Sequence, residues 1–239
     1  MIISHKHKYL FVELPRTGST AISRELRTYY DGQPILQKHA TYADFLKIAS
    51  DEEKKYFVFA GIRNPLDDAV SLYCKLESSH HKIWTGTVKR NKRLVDYVNL
   101  TMFRFIKRTE ADFSTYFKKF YKIPYNTWSD LSHEMFDFII RFEKLQEDFE
   151  DALRLIGVEP VRPLPVVNKT NKQADNYLSY YTPEIIPRAK RIFGPYMRQW
   201  GYQFPREWGE TAIPWWNQVE FGFFNVFRRV YWKFLRSRI

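Results

Sequence analysis

The sequence has little of what stabilises secreted or membrane-spanning proteins. Among its 239 residues there is a single cysteine, Cys74, so no intrachain disulfide can form. No apolar run approaches the ~20 residues that a spanning helix requires. The N-terminal segment before the first predicted strand is too short and too polar for a signal peptide. These absences predict a cytoplasmic protein without a membrane span. Cys74 lies in an apolar helical pattern, which predicts that it is a buried structural thiol.

Positive charge and aromatic side chains are what the sequence has in excess. The formal net charge is +11, aromatic residues make up 18% of the chain and hydrophobic residues 44%. This hydrophobic content is typical of a packed domain rather than of a disordered chain. The basic balance favours anionic partners, and charge alone does not choose among nucleotides, nucleic acid, acidic glycans and acidic membranes.

Apolar runs alternate with helical periodicity along the chain, which predicts an α/β fold. The strands are predicted at residues 9–14, 35–36, 56–62 and 136–142. The helices are predicted at residues 20–30, 42–49, 66–77, 94–108, 112–121, 145–156 and 183–200. We therefore expect a single domain at residues 1–205, with a mostly parallel central sheet flanked by helices on both faces.

The segment PRTGST, residues 15–20, lies between the first predicted strand and the first predicted helix. A turn at this place directs main-chain N–H groups and a helix N-terminus at one spot, which suits an anion. Gly18 permits a close approach, Ser19 and Thr20 add hydroxyl groups, and Arg16 adds a charge. The alternative is an ordinary capped helix start. The GxxxxGK[ST] spacing of a Walker loop is absent, which weighs against an ATPase or GTPase.

A second such segment is IRNP, residues 62–65, with Ser71 two turns into the following helix. Arg63 comes at the carboxyl end of an apolar strand, where open α/β sheets bind ligands. Ser71 is spaced to face the same anion. The alternative is an arginine that pairs with a nearby carboxylate such as Asp67 or Asp68.

Taken together, the two segments resemble the phosphate-binding signatures of sulfotransferases that use 3'-phosphoadenosine 5'-phosphosulfate (PAPS). Residues 137–149 and 196–204 also resemble elements of the carbohydrate sulfotransferase superfamily, the sulfotransferase family 2-like group. The resemblance covers roughly residues 8–205. It implies a P-loop-like sulfotransferase fold, a sulfate donor, a hydroxyl acceptor that is a sugar or glycan, and no metal; no nucleic-acid partner is expected.

The resemblance also implies roles for particular residues. Those that would hold the 5'-phosphosulfate are Arg16, Thr17, Gly18, Ser19 and Thr20, and we call residues 15–20 the donor loop. Many members of the family have lysine where this chain has Arg16. The positive charge is the same, but the contact that this residue makes with the leaving group stays open. Arg63 and Ser71 would hold the 3'-phosphate. Lys169 and Thr170 match in position a loop that closes over the donor.

His39 is the candidate catalytic base. Related members are similar here, with a histidine at the same place after a short strand, and a histidine titrates near neutrality. The alternative is a surface or helix-capping histidine. Glu13, beside the donor loop, is predicted either to orient a catalytic group or to pair with a lysine. The basic loop at residues 82–93, which contains Trp84, is predicted either to bind the acceptor or to be solvated.

Two other classes of function compete with a sulfotransferase. One is a nucleotide-dependent phosphotransferase with a modified phosphate loop, which would need magnesium and an acidic ligand after a strand; no persuasive sequence of that kind is present. The other is a non-enzymatic basic module that binds polyanions or a membrane surface, which predicts strongly salt-dependent binding without a nucleotide.

The C-terminal tail, residues 206–239, is aromatic and basic. From residue 216 onward its apolar residues recur at helical spacing and form one face, with arginines and lysines away from the centre of that face. Three interpretations stay open. The tail packs on its own domain and its aromatics complete the core, it lies peripherally on an anionic membrane, or it forms a dimer contact.

Overall fold

The structure is a computed structural model that describes residues 1–78, 94–127, 135–165, 176–209 and 213–231. The chain divides into two compact units. The first unit comprises Met1–Arg63 and Thr127–Lys169, and the second comprises Asn64–Asn126 and Thr170–Ile239. The domain boundary predicted near residue 205 stays a prediction.

The first unit contains all five strands that the described residues form. They are β1 (Ile2–Ser4), β2 (Tyr9–Val12), β3 (Gln33–Pro34), β4 (Phe57–Ile62) and β5 (Phe138–Arg141), in the spatial order β3-β1-β2-β4-β5. Its helices are α1 (Ser19–Tyr29), α2 (Tyr42–Leu46) and α6 (Leu145–Leu155). The apolar runs at β2, β4 and β5 form strands because both faces of the sheet are covered.

The sheet is mixed, which corrects the expectation of a mostly parallel sheet. The pairs β2–β4 and β4–β5 are parallel, whereas β1 pairs antiparallel with both β2 and β3. Strand β1 has three residues and ends at a polar turn, too short for a periodic pattern to reveal it. The predicted strand at 35–36 is wrong, because the pairing residues are Gln33–Pro34 and Leu36 has a positive φ of 57°.

Alternate residues of the strands enter two apolar clusters, one on each face of the sheet. On one face Phe11 and Phe59 pack against Ile22 and Leu26 of α1 and against α6. On the other face Leu10 and Val58 pack against the segment that includes α2. The expectation of helices on both faces of the sheet is therefore confirmed within this unit.

The second unit is helical in its described part. Its helices are α3 (Pro65–Glu77), α4 (Leu94–Thr109), α5 (Phe113–Phe120), α7 (Ile186–Gln199) and α8 (Trp215–Val230). The core is rich in aromatic residues and includes Tyr73, Phe117 and Phe193. Cys74 is buried in it, as predicted. None of the described helices is long and apolar enough to cross a bilayer.

Candidate active site

The donor loop connects β2 to α1 and is shaped by one glycine. Gly18 precedes the first residue of α1 and has φ +76°, a conformation that favours glycine. A Cβ atom there would lie 2.7 Å from Cδ2 of Leu145, so a larger residue would strain the backbone and displace the end of this leucine side chain. Arg16 also has a positive φ, of 64°. A non-glycine residue in this region is held there by its surroundings, as is common at functional sites.

The loop packs closely on the end of β4. Because β2 and β4 are parallel neighbours, their carboxyl ends meet at one edge of the sheet. A Cβ atom at Gly61 would lie 2.9 Å from Cβ of Thr17, so this contact requires glycine. The Thr17 hydroxyl donates to the Leu14 carbonyl at 3.1 Å, which braces the turn. Any hydrogen bond that Thr17 donates to an anion would therefore come from its main-chain N–H.

Arg63 is held over the same edge of the sheet. One of its guanidinium nitrogens donates to the Arg16 carbonyl at 3.1 Å, so it contacts the donor loop directly. The guanidinium also lies 4.0 Å from the ring centre of Phe142, which follows β5. A cation stacked on an aromatic face keeps donors in its plane for a planar or tetrahedral anion.

The N-terminus of α1 is suited to an anion. Within the part of the chain that the structure describes, no side chain caps this end, and its first turn contains no acidic residue. The first N–H groups of a helix lack partners inside the helix and carry its positive dipole end. Together with Arg16 and Arg63, this end makes the C-terminal edge of the sheet strongly electropositive. The N-terminus of a helix binds phosphate-like groups through its main-chain N–H groups, and the close packing of Gly18 on Leu145 and of Gly61 on Thr17 fixes the loop that leads into this end.

His39 is oriented by a main-chain hydrogen bond. Its Nδ1 lies 2.9 Å from the carbonyl oxygen of Glu13, which can only accept, so Nδ1 carries the proton and the neutral ring has its lone pair on Nε2. Burial is the main cause that lowers the pKa of His39 below its ordinary value of 6.5, and the hydrogen bond to Glu13 only opposes that effect. The ring is therefore neutral at neutral pH, as a proton acceptor must be.

The backbone of His39 is strained as well, with φ of 63°. A left-handed residue next to the donor loop fits a side chain that is placed for a purpose rather than exposed on an ordinary surface. Glu13 contributes to this position in two ways. Its carbonyl accepts from His39, and its buried carboxylate pairs with the Met1 amine at 2.9 Å rather than with a lysine.

A pocket of about 600 Å³ opens beside these residues in the first unit. Glu13, Thr20 and Lys38 line the part nearest His39, and Arg24 and Arg27 of α1 line the rest. Lys38 donates to the Thr20 hydroxyl at 3.1 Å, so the donor loop and the segment with His39 are joined at the pocket wall. The guanidinium groups of Arg24 and Arg27 have no hydrogen-bond or ion-pair partner among the residues that the structure describes. The pocket can therefore receive an anionic ligand.

The predicted site residues fall into three groups. Those that the first unit brings together are Arg16, Thr17, Gly18, Ser19, Thr20, His39 and Arg63. Ser71 lies in the second unit, buried on α3, whose first turn is capped by the Asn64 side chain. Lys169 and Thr170 lie outside the described residues, and so do the loop at 82–93 and Trp84.

Some features of the site were not predicted from the sequence. The ring of Phe142 beneath Arg63 lies in a predicted strand, and nothing in its pattern marks it as part of a site. Arg24 and Arg27 lie three residues apart on α1, so helical spacing could have placed them on one side of the helix. The pairing of His39 with a main-chain carbonyl leaves no signal in a sequence.

Comparison with known proteins identifies the family. A sequence model described as the sulfotransferase family matches residues 1–203. The match includes every residue assigned above to the donor loop and its surroundings. Searches of curated proteins and of solved structures find no match.

Proposed function

This chain belongs to the sulfotransferase family, and we propose that it transfers a sulfuryl group from PAPS to a hydroxyl group of a carbohydrate. The observation that carries the proposal is the meeting of the donor loop, Arg63 and His39 at one edge of the sheet. The donor supplies an activated sulfuryl group, whose S–O bond to the 5'-phosphate breaks as the new bond to the acceptor oxygen forms. The products are a sulfate ester and adenosine 3',5'-bisphosphate.

The donor loop is proposed to bind the 5'-phosphosulfate in the manner of a phosphate-binding loop. Its N–H groups, the N-terminus of α1 and Arg16 stabilise the negative charge that grows on the departing phosphate. Arg63 and Ser71 hold the 3'-phosphate, and Lys169 and Thr170 cover the nucleotide. With this charge provided by the protein, we propose that no metal is needed; chelation with EDTA should leave turnover unchanged.

His39 is proposed to act as the general base. Since Nδ1–H donates to the Glu13 carbonyl, Nε2 accepts the proton from the acceptor hydroxyl as that oxygen attacks sulfur. The Glu13 carbonyl then stabilises the charged ring, because it accepts the proton on the opposite nitrogen. In this scheme Glu13 positions His39 through its main chain.

The pocket lined by Arg24, Arg27 and Lys38 is proposed to bind the acceptor. Its volume lies in the range of pockets that hold small ligands, and it borders the residues next to His39. Three cations favour an acceptor that already carries carboxylate or sulfate groups. We therefore propose an acidic sugar as the acceptor.

Titration calorimetry with adenosine 3',5'-bisphosphate and with ATP tests the donor assignment. We expect the bisphosphate to bind and ATP to bind far more weakly, because ATP has no 3'-phosphate. Arg63→Ala should weaken bisphosphate binding by about 2 kcal/mol, the scale of one charge-assisted contact.

A matched control is Arg154→Ala, which removes an arginine on α6 that pairs with Asp151 and Glu150. This variant should bind the bisphosphate like the unaltered protein. Equal affinity for ATP and the bisphosphate would favour a phosphotransferase instead. Unchanged affinity in folded Arg63→Ala would reject the assignment of the 3'-phosphate.

A further inference from the structure

Helix α8 exposes an apolar face. The members of this face are between 47% and 78% exposed and include two tryptophans and two phenylalanines. They are Trp215, Trp216, Val219, Phe223, Val226, Phe227 and Val230. At 3.6 residues per turn, these positions fall within an arc of about 120°. We call this set the outer face of α8.

The opposite side of α8 holds the helix on its own unit, mainly through polar contacts. Glu220 accepts from Arg191 of α7 at 2.9 Å, and Asn225 accepts from Asn126 at 2.9 Å. Arg228 donates to the main-chain carbonyl of Pro124. The residues of α8 that are buried are Asn217 and Phe221.

This arrangement is the reverse of an ordinary surface helix, which buries its apolar stripe and exposes its polar one. Of the tail's aromatic residues, Trp208 packs on the core of the second unit and Phe221 is buried, whereas those of the outer face are exposed. The three interpretations of the tail stay predictions. A contiguous apolar patch of this kind marks a surface that another apolar surface covers.

Charge distinguishes between the surfaces that could cover it. The second unit has 23 lysines and arginines against 11 aspartates and glutamates, a net charge of +12. The first unit has 15 against 16, a net charge of −1. A second copy of the chain would bring a unit of +12 against an identical one, which repels it. An anionic surface is attracted instead.

The last turn of α8 adds to this attraction. Arg229 lies there and is exposed. Tryptophan rings such as those of Trp215 and Trp216 are favoured at the boundary between headgroups and acyl chains, because they are apolar with one polar N–H. Neither an apolar arc nor exposed tryptophans would help a helix that binds only the backbone of a nucleic acid.

We propose that the outer face of α8 binds the surface of an anionic lipid membrane. The helix lies in the plane of the interface, with its apolar side chains among the acyl chains and Arg229 at the headgroups. The polar contacts to Arg191, Asn126 and Pro124 keep the helix attached to the second unit while its outer face is inserted. The proposal does not depend on the identity of the sulfate donor or acceptor.

Flotation of the full chain with lipid vesicles tests it. We expect the protein to float with phosphatidylcholine vesicles that contain phosphatidylserine, and to float less as salt is raised. The partition coefficient of the double variant Phe223→Ser with Phe227→Ser into these vesicles should be lower by about tenfold or more, because two apolar side chains of the outer face are lost at unchanged net charge.

The matched control is Tyr97→Ser with Leu155→Ser, which removes two exposed apolar residues on other helices. It should float like the unaltered protein, and both double variants should keep the unaltered melting temperature. Failure of the unaltered protein to float, or equal flotation with and without phosphatidylserine, would overturn the proposal. So would a dimer by light scattering that becomes a monomer in the Phe223→Ser, Phe227→Ser variant.

Discussion

Helices α1 and α8 are both amphipathic, and they direct their apolar faces in opposite ways. In α1 the apolar residues Ala21, Ile22 and Leu26 are buried on the sheet, and exposed arginines line the other side. In α8 the polar residues Glu220, Asn225 and Arg228 contact the protein, and the residues of the outer face are exposed, whereas Phe221 is buried. Periodicity thus predicts that a helix forms and where its apolar face lies, but not what covers that face.

The two units differ in charge in a related way. The first unit is close to neutral although it contains the electropositive donor loop, because its acidic residues balance its basic ones. The second unit carries the excess of lysines and arginines over acidic residues that makes the whole chain basic. If the chemistry resides in the first unit and membrane attraction in the second, changes in one should leave the other function intact.

The largest expected effect contrasts the stability that the two helices contribute. Leu26→Ala in α1 should lower the free energy of unfolding by about 3 kcal/mol, because Leu26 is fully buried and its removal leaves a cavity. Phe223→Ala in α8 should change it by less than about 0.5 kcal/mol, because that ring is 59% exposed. Urea denaturation of both variants measures this. Similar losses in the two variants would show that the outer face of α8 is covered by protein.

A second contrast concerns turnover. His39→Ala should lower kcat by about 100-fold or more, the scale expected when a general base is removed. It should bind adenosine 3',5'-bisphosphate and anionic vesicles like the unaltered protein. The Phe223→Ser, Phe227→Ser variant should show the reverse, with normal turnover on a water-soluble acceptor and weak vesicle binding. If His39→Ala keeps most of its turnover, another group is the base and Glu13 is the next to test.

A third effect concerns the shape of the donor loop. Gly18→Ala should destabilise the fold by about 2 kcal/mol, since alanine disfavours the positive φ and meets Leu145. It should also weaken bisphosphate binding. Gly222→Ala in α8 is the matched control, because a Cβ atom there meets nothing within 4 Å. Equal stability of the two variants would contradict the tight packing of the loop.

The smallest effect is a shift in pH dependence. Because burial lowers the pKa of His39, the neutral ring persists below pH 6.5. The value of kcat/KM should decline on the acid side as His39 becomes protonated at its lowered pKa, and the midpoint of this decline should lie below 6.5. An acid limb with its midpoint at or above 6.5 would mean that the base is a different group or is not buried.

Much of this molecule was predictable from local patterns. Helix α1 and strand β4 follow directly from apolar spacing, and the donor loop and Arg63 follow from their positions after strands. Strand β1 was not predicted because three residues carry no period. Its pairing makes the sheet mixed, and pairing is a contact between distant residues that no local pattern contains.

The same limit applies to the site and to α8. The hydrogen bond from His39 to Glu13 joins residues 26 apart and uses a main-chain oxygen that every residue has. The buried Glu25 of α1 is paired with Arg162, 137 residues away. For α8, the apolar face was visible in the sequence, but the polar partners on the inner side come from distant segments. The contacts of these polar residues with distant segments, and not the helical periodicity of the sequence, determine that the apolar face is exposed.

Transfer of labelled sulfate from PAPS to an acidic oligosaccharide is the most direct test of the central claim. The full chain should move the label from the nucleotide to the sugar and release one adenosine 3',5'-bisphosphate for each sulfate ester formed. With His39→Ala the label should move about 100-fold more slowly or slower still, and EDTA should have no effect. Failure to transfer label to any hydroxyl acceptor, by a folded protein that binds the bisphosphate no better than ATP, would contradict the account.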